Sequence, residues 1–348
     1  MSSWNKILVI GDMHFRPSRG YTDIIEDRRE AEEKEVLDFI VEQSKDCDVI
    51  VQVGDALHSK NNTSEVVKKF TNFIERFENK KLFISVGNHE KFGDGTSALD
   101  YLKEIKNKNW NIYSNEAGQW EDLLFLPYFS KVELGCATPQ ETTEKIMGMV
   151  NASDAKVMFC HISISGSNTE GGTMTDLFDE AVLPRKELSK KFEAVFGGHI
   201  HKPQLDKNVV VTGSCFNDEV GELRKYVWKV DQNYKIEQIP LPGRSIYKFE
   251  NPTWQELTMV PPTNTIVKAI LTQKYNDEDL EKIKEQLRKF DAFSLVEQYP
   301  KERRKLAQLN DNTSVLDLDM PSLLGIYAEQ NKVDFNQLKK GWDLVQSL

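Results

Sequence analysis

Cysteine is scarce in this chain. There are four, Cys47, Cys136, Cys160 and Cys215, all far apart and none in a CxxC pair. That excludes a disulfide-stapled scaffold and fits reduced, mostly buried thiols in a cytoplasmic protein. Long apolar runs are missing as well. None approaches the roughly 18 to 20 residues that a membrane span needs, so no membrane association is expected. The opening MSSWNKILVIGDMH lacks the apolar core and small-residue cleavage site of a secretory signal. No stretch carries the Gly, Pro or Ser bias of a long disordered region, and hydrophobic residues, at 39%, suffice for a folded core. An excess of positive charge is also absent. A net charge of −10 argues against a protein that holds nucleic acid by its own field. Attraction to a polyanion would have to come from local patches, from a partner or from bound metal, since two divalent cations bring four positive charges to one cleft.

What is present is order at the start. KILVI (6–10), DVIVQV (48–53) and KLFISV (81–86) read as buried strands, and each runs into a glycine. Between them lie two helical stretches, EVLDFIVEQS and VVKKFTNFIERFE, the second with Val67, Phe70, Ile74 and Phe77 at helical spacing. Strand, helix, strand, helix, strand predicts a parallel sheet with helices on its faces, and such sheets bind ligands beyond the carboxyl ends of their strands. Shorter strands follow at LLFLPY (123–128), KVMFCHI (156–162), EAVFGGHI (193–200), VVVTGS (209–214) and YVWKV (226–230), close enough together to predict some antiparallel pairing. LPGRS (241–245) reads as an exit. Beyond it a smaller β-α-β module is expected from TIVKAIL, NDEDLEKIKEQLRKF (Asn276 as N-cap) and FSLVEQY. Two short helices, 321–330 and 334–346, close the chain, the second with Phe335, Leu338, Trp342 and Val345 on one stripe. The basic runs RKELSKK (185–191) and KERRK (301–305) read as solvated faces, with contact to a phosphate backbone as the alternative.

The chemistry lies in five motifs: Gly11-Asp12-Met13-His14, Gly54-Asp55, Gly87-Asn88-His89-Glu90, Cys160-His161 and Gly198-His199-Ile200-His201. Imidazole, carboxylate and carboxamide are ligands of borderline transition metals. Asp55 suits a bridge between two ions because a carboxylate has two oxygens. Asp12, His14 and His201 suit one ion; Asn88, His161 and His199 suit the other. The Asp-x-His and His-x-His spacings place side chains on one face of an extended segment. Singly, each motif is an ordinary turn or a lone histidine. Together they are specific: five of the six histidines fall in the motifs, and the sixth, His58, lies three residues after Asp55.

These motifs resemble the calcineurin-like metallophosphoesterase superfamily over roughly residues 6–245, and most closely the nuclease subunit (SbcD type) of the SbcCD DNA double-strand-break repair complex. GDMHF, GDALHSKN, GNHE, and GGHIHKPQ followed by VVVTGSCFN carry the resemblance. Glu90 departs from it, since the nucleases usually have Asp there and GNHE also occurs in serine/threonine protein phosphatases. Those phosphatases, however, carry an Arg after the second motif, and Gly54-Asp55-Ala56-Leu57-His58-Ser59-Lys60 has none. The resemblance implies a mixed-sheet α/β sandwich flanked by helices over 1–245, a small α/β capping, DNA-binding domain over 246–300, a linker over 301–320, and a helix-loop-helix over 321–348 that binds an SMC-like ATPase (SbcC type). It implies a manganese-dependent 3′–5′ exonuclease and single-strand or hairpin endonuclease, acting through a metal-bridging hydroxide, in a bacterial or phage-infected cell. Two divalent ions are expected, manganese ahead of magnesium because the site is rich in imidazole. By the same resemblance His89 is the general acid, with orientation of a ligand as the alternative; His58 is a candidate for contacting the scissile phosphate, with an ordinary loop histidine as the alternative. A homodimer is left open. The rival functions are another phosphatase or cyclic-nucleotide phosphodiesterase of the same chemistry, and a scaffold with an idle site.

Overall fold

The strands of the first half are apolar on both faces, so each needs one layer above it and one below. The computed structural model describes residues 3–17, 29–77, 79–105, 107–169, 172–217, 224–297, 324, 328 and 334–346. In it two six-stranded sheets supply those layers for each other. The first holds β1 (Lys6–Ile10), β2 (Val49–Gln52), β3 (Lys81–Ser85) and β4 (Trp110–Tyr113) in parallel, extended past β1 by the antiparallel pair β13 (Tyr226–Asp231) and β14 (Ile236–Pro240). The second has β6 (Leu123–Leu126), β7 (Val157–Cys160), β10 (Ala194–Gly197) and β12 (Val209–Val211) in parallel. Antiparallel β5 (Gly118–Trp120) and β11 (Gln204–Asp206) form its edges. A two-stranded parallel ribbon, β8 (Ser163–Ile164) and β9 (Val182–Leu183), stands apart from both.

Period-two alternation sorts the side chains. Ile7, Val9, Val51 and Phe83 of the first sheet meet Phe125, Val157, Phe159 and Phe196 of the second in one buried layer. There Phe83, Phe125, Phe159 and Phe196 stack at successive centroid distances of 4.5, 5.4 and 5.5 Å, with planes within 16°. The opposite faces take helices. Leu8, Ile10, Ile50 and Ile84 pack under α1 (Arg29–Gln43), α2 (Ser64–Glu75) and the single-turn α3 (Tyr101–Glu104). Leu124, Met158 and Val195 pack under α4 (Pro139–Ala152) and α5 (Arg185–Lys191). The stripe of α2 departs from the expected one: Val66 takes the place of Val67 and Phe73 joins Phe70 and Ile74, while Phe77 is buried just past the helix end. RKELSKK is α5 itself, with Leu188 buried, and Arg185 is not a solvated face, because it donates to Ser165 O at 2.8 Å and Ser167 Oγ at 2.7 Å.

After β14 the chain does not simply leave. Ser245–Glu250 forms β15, parallel to β16 (Thr265–Leu271), and β17 (Ala292–Glu297) completes a three-stranded sheet with α6 (Trp254–Thr258) and α7 (Asp277–Leu287). The expected β-α-β module thus gains a strand and a capped helix at its front. Asn276 caps α7 by accepting from Asp279 N. The described residues divide into two compact units, the first reaching Ile270 and including Asn276–Val296, the second comprising Leu271–Tyr275 and the remainder from Glu297. In the second unit Phe335–Gln346 is helical (α8). The connector over 301–314, most of 321–330, and the side chains of Trp342 and Val345 lie outside the described residues. No helix among the described residues is long and apolar enough to cross a membrane.

Candidate metal centre

All five motifs follow the carboxyl ends of parallel strands: β1 leads to Asp12 and His14, β2 to Asp55, β3 to Asn88 and His89, β7 to His161, and β10 to His199 and His201. Backbone bonds lace these ends together. The amides of Met13 and His14 both donate to Asp55 O, at 2.9 and 2.8 Å. The His199 amide donates to the Asp12 carboxylate at 3.0 Å, and the His89 amide to Asp55 Oδ1 at 3.0 Å. Three of the ligand-type residues, His14 (φ 48°), Asp55 (φ 46°) and His199 (φ 78°), sit in the left-handed region that residues with a Cβ avoid. Two glycines are required by space. A Cβ on Gly54 would fall 2.0 Å from His161 Nδ1, and one on Gly198 would fall 2.3 Å from Val53 O.

The side chains converge in two neighbouring clusters. In one, Asp12, His14 and His201 bring ligand atoms within 4.8 Å of one another, and in the other Asp55, His161 and His199 do so. His14 Nε2 and His201 Nε2 are 2.9 Å apart. Asn88 Oδ1 belongs to the second cluster, 3.1 Å from His161 Nε2 and 3.0 Å from His199 Nδ1. Asp55 Oδ2 lies between the two, 3.2 Å from His161 Nε2 and 3.8 Å from His14 Nε2. Atoms ligated at about 2.1 Å around one ion sit roughly 3 Å apart, which is the spacing here. The donor types settle the fit further. His161 Nδ1 donates to Val53 O at 2.7 Å, which turns Nε2 to the oxygens of Asn88 and Asp55. Oxygens gathered on one ring nitrogen call for positive charge there, a proton in the metal-free protein or a metal ion in its place, and the residues therefore fit two divalent ions.

The electrostatics agree. Burial pushes Asp12 up, and facing Asp55 adds to that against the pull of His161. For Asp55 burial is outweighed by the imidazoles of His161, His14 and His89, and its carboxyl is held well below the usual range. Burial opposes protonation of His161, yet Asp55 and Asp12 lift it to about 10. A field that retains a proton on a buried imidazole retains a divalent ion by the same attraction. His14 has burial and its neighbouring histidines against it and is held well below its usual value, as a neutral ligand must be.

His89 and His58 stand beside the clusters. Their ring centroids are 5.6 Å apart, and both rings approach that of His14. His89 Nδ1 donates to His58 O at 2.7 Å, its Nε2 is 3.9 Å from Asp55 Oδ2, and its side chain is 38% exposed. His58 is exposed. Two residues acquire positions that the sequence did not assign. Buried Glu90 accepts from Leu57 N at 2.6 Å and Gly87 N at 2.9 Å, pinning the second motif loop to the third, and burial together with Asp55 lifts its carboxyl to about 8. Glu180 meets His199 Nε2 at 2.8 Å. It sits in a loop with no pattern, and nothing short of the fold signals it.

The profile of the calcineurin-like phosphoesterases matches residues 5–203, a span that contains every one of these ligand residues. No curated protein sequence matches the chain. Among solved structures it is similar to the purple acid phosphatase PPD1 from yellow lupin (Lupinus luteus) seeds, 15% identical over 70% of this chain and 52% of that one, with a TM-score of 0.41. It is similar also to a metallophosphoesterase from Sphaerobacter thermophilus, 11% identical over 69% of this chain and 89% of that one, with a TM-score of 0.33. A conserved protein of Streptococcus pneumoniae described as a predicted phosphoesterase is 9% identical over 69% of this chain and 91% of that one, with a TM-score of 0.31. At such scores the likeness says nothing of substrate. With more than half its length matched, and with two carboxylate–imidazole clusters inside the matched span, the chain belongs to the calcineurin-like phosphoesterases, a family of metal-dependent phosphoester hydrolases.

Proposed function

We propose that the chain is a DNA nuclease, the SbcD-type subunit of an SbcCD-like repair and recombination complex, with 3′–5′ exonuclease and single-strand or hairpin endonuclease activity. The observation that carries the reading is the trio His14, His58 and His89 gathered beside the Asp55 clusters, with ring atoms within 4.8 Å and two of the three reachable from solvent. GDALHSKN, with its His58 and no Arg, is the sequence feature that separates the nuclease from the protein phosphatases.

Two bound divalent ions, manganese ahead of magnesium, would supply Lewis acidity toward a phosphodiester and toward the attacking water. The remaining work falls to side chains. Asp55 keeps the two clusters in register. The bond from His89 Nδ1 to His58 O fixes the imidazole so that Nε2 faces the centre, where it can protonate a leaving oxygen. His58, exposed at the rim, is suited to touch a phosphate oxygen. On this reading 1–245 is the nuclease domain, 246–300 a cap that contacts DNA, and 321–348 the segment that docks on an SMC-like ATPase.

Hydrolysis of a nucleotide diester and of duplex and single-stranded DNA, measured beside an aryl phosphomonoester in manganese, magnesium and chelator, tests the reading. Diester and DNA cleavage that needs manganese is expected. Monoesterase activity without DNA cleavage would make the chain a phosphatase. In a pull-down with the ATPase, deletion of 320–348 should abolish binding while leaving manganese-dependent diester cleavage.

A further inference from the structure

We propose that Glu180 is a positioning residue for the metal centre: its carboxylate holds the Nε2 proton of His199 and so turns Nδ1, not Nε2, to the ion in the Asn88–His161 cluster. The inference rests on the reading of the two clusters as a dinuclear site. Glu180 Oε1 lies 2.8 Å from His199 Nε2, and an ionised carboxylate only accepts, so Nε2 carries the hydrogen. Nδ1 is then the lone-pair atom, and it is Nδ1 that lies 3.0 Å from Asn88 Oδ1.

The neighbouring ligand is set the opposite way. His161 gives its Nδ1 hydrogen to Val53 O and faces the cluster with Nε2. One ion would thus be held by two imidazoles of different tautomer, one supported by a carbonyl and the other by a carboxylate. A carboxylate partner makes an imidazole more basic and fixes its plane, and losing such a partner costs about 10- to 100-fold in metal affinity.

Glu180 is itself held. Ser163 Oγ donates to the same Oε1 at 2.6 Å. Ser163 opens β8, two residues after His161, and Glu180 lies two residues before β9, which pairs with β8 in parallel. The two-stranded ribbon therefore has a purpose in the site: it carries one acidic side chain across to the back of a ligand from a different strand.

Full-length protein tests this in two ways. In metal-free protein with labelled histidine, long-range proton–nitrogen spectra should show His199 as the Nε2–H tautomer, and Glu180→Ala should lose that preference. In manganese titrations the wild type should take two ions. Glu180→Ala should weaken one of them by about 10- to 100-fold and leave the other within about 2-fold, because the hydrogen bonds of Glu180 among the described residues go to His199 and Ser163. Glu180→Gln, which keeps an acceptor but loses the charge, should fall between, and it carries the test where the alanine variant fails to fold. Two ions bound with unchanged affinity by both variants, or wild-type His199 in the Nδ1–H form, would overturn the inference and leave the dinuclear reading standing. A wild type that binds no manganese would overturn both.

Discussion

Asp55 uses its two oxygens for different ends. Oδ1 takes the amide of His89, and Oδ2 faces imidazoles of both clusters. Asp55→Asn should therefore weaken both ions, seen as a loss of both sites in a manganese titration. His89→Ala should keep two ions but cut the rate by about 10² or more, the usual scale for losing a general acid; if it empties the centre instead, His89 is a support. Gly54→Ala places a methyl against the His161 ring at a backbone angle (φ 97°) hostile to it, and should cost about 2 kcal/mol or more by chemical unfolding along with the second site. At this scale the sequence was informative. Asp12, His14, Asp55, Asn88, His161, His199 and His201 come together in the fold, because each motif sits where a strand ends and short spacings survive folding. Glu180 was illegible for the converse reason: its place beside His199 depends on a two-residue ribbon with too little sequence to show a period.

Elements were legible where apolar runs were long enough. β1, β2 and β3 read as buried strands, and each follows from its run of β-branched or aromatic residues. What the sequence could not say was that each face meets a different layer, since a strand buried twice shows no alternation to read. α4 escaped because its buried residues, Thr142, Ile146, Met147 and Val150, include a polar one and are interrupted by Gly148. β15 escaped because SIYKFE buries only Ile246 and so shows no apolar run, and α6 because it is only five residues long. One contact between elements makes a pH-dependent prediction. Asp46, at the turn between α1 and β2, accepts from Lys6 of β1 and Lys229 of β13, both at 2.7 Å. Burial pushes its carboxyl up, and the two ammonium groups together hold it well below the usual range. Its folded pKa is thus depressed, and the stability it adds is present above the unfolded value of 3.8 and lost as the pH falls below that. With its side chain 52% exposed, Asp46→Asn should cost at most about 1 kcal/mol at pH 7. The gap between variant and wild type in thermal midpoint should close as the pH drops from 5 toward 2.

For the whole molecule, charge and metal are linked. The chain carries a net −10, and its motifs gather Asp12 and Asp55 in the interior. Cations at the clusters offset that repulsion, so metal should act on stability as well as on rate. At a free ion concentration about 100 times the dissociation constant, each site adds about 2.7 kcal/mol. Chelator should lower the thermal midpoint by several degrees, and added manganese should restore it. An unchanged midpoint together with zero bound ions would remove the basis for the metal reading. The same ions would give an acidic protein a strong focus of positive field, which is how a polyanion could be drawn to it.

The left-handed backbone at His14, Asp55 and His199 has a consequence for anyone who engineers this chain. Each such residue costs the fold about 1 kcal/mol or more, and glycine at the same place would relieve it. Of the eight non-glycine residues with such backbone among the described residues, three are ligands, and Glu121, Lys207, Tyr234, Asn251 and Asn264 are not. Selection for survival on heating alone would accept inactive descendants, changed at the three ligands, beside active ones changed at the other five. A useful screen has to reward turnover and endurance at once, and the gains worth keeping will come from the helices and the sheet edges, away from the strand ends that carry the chemistry.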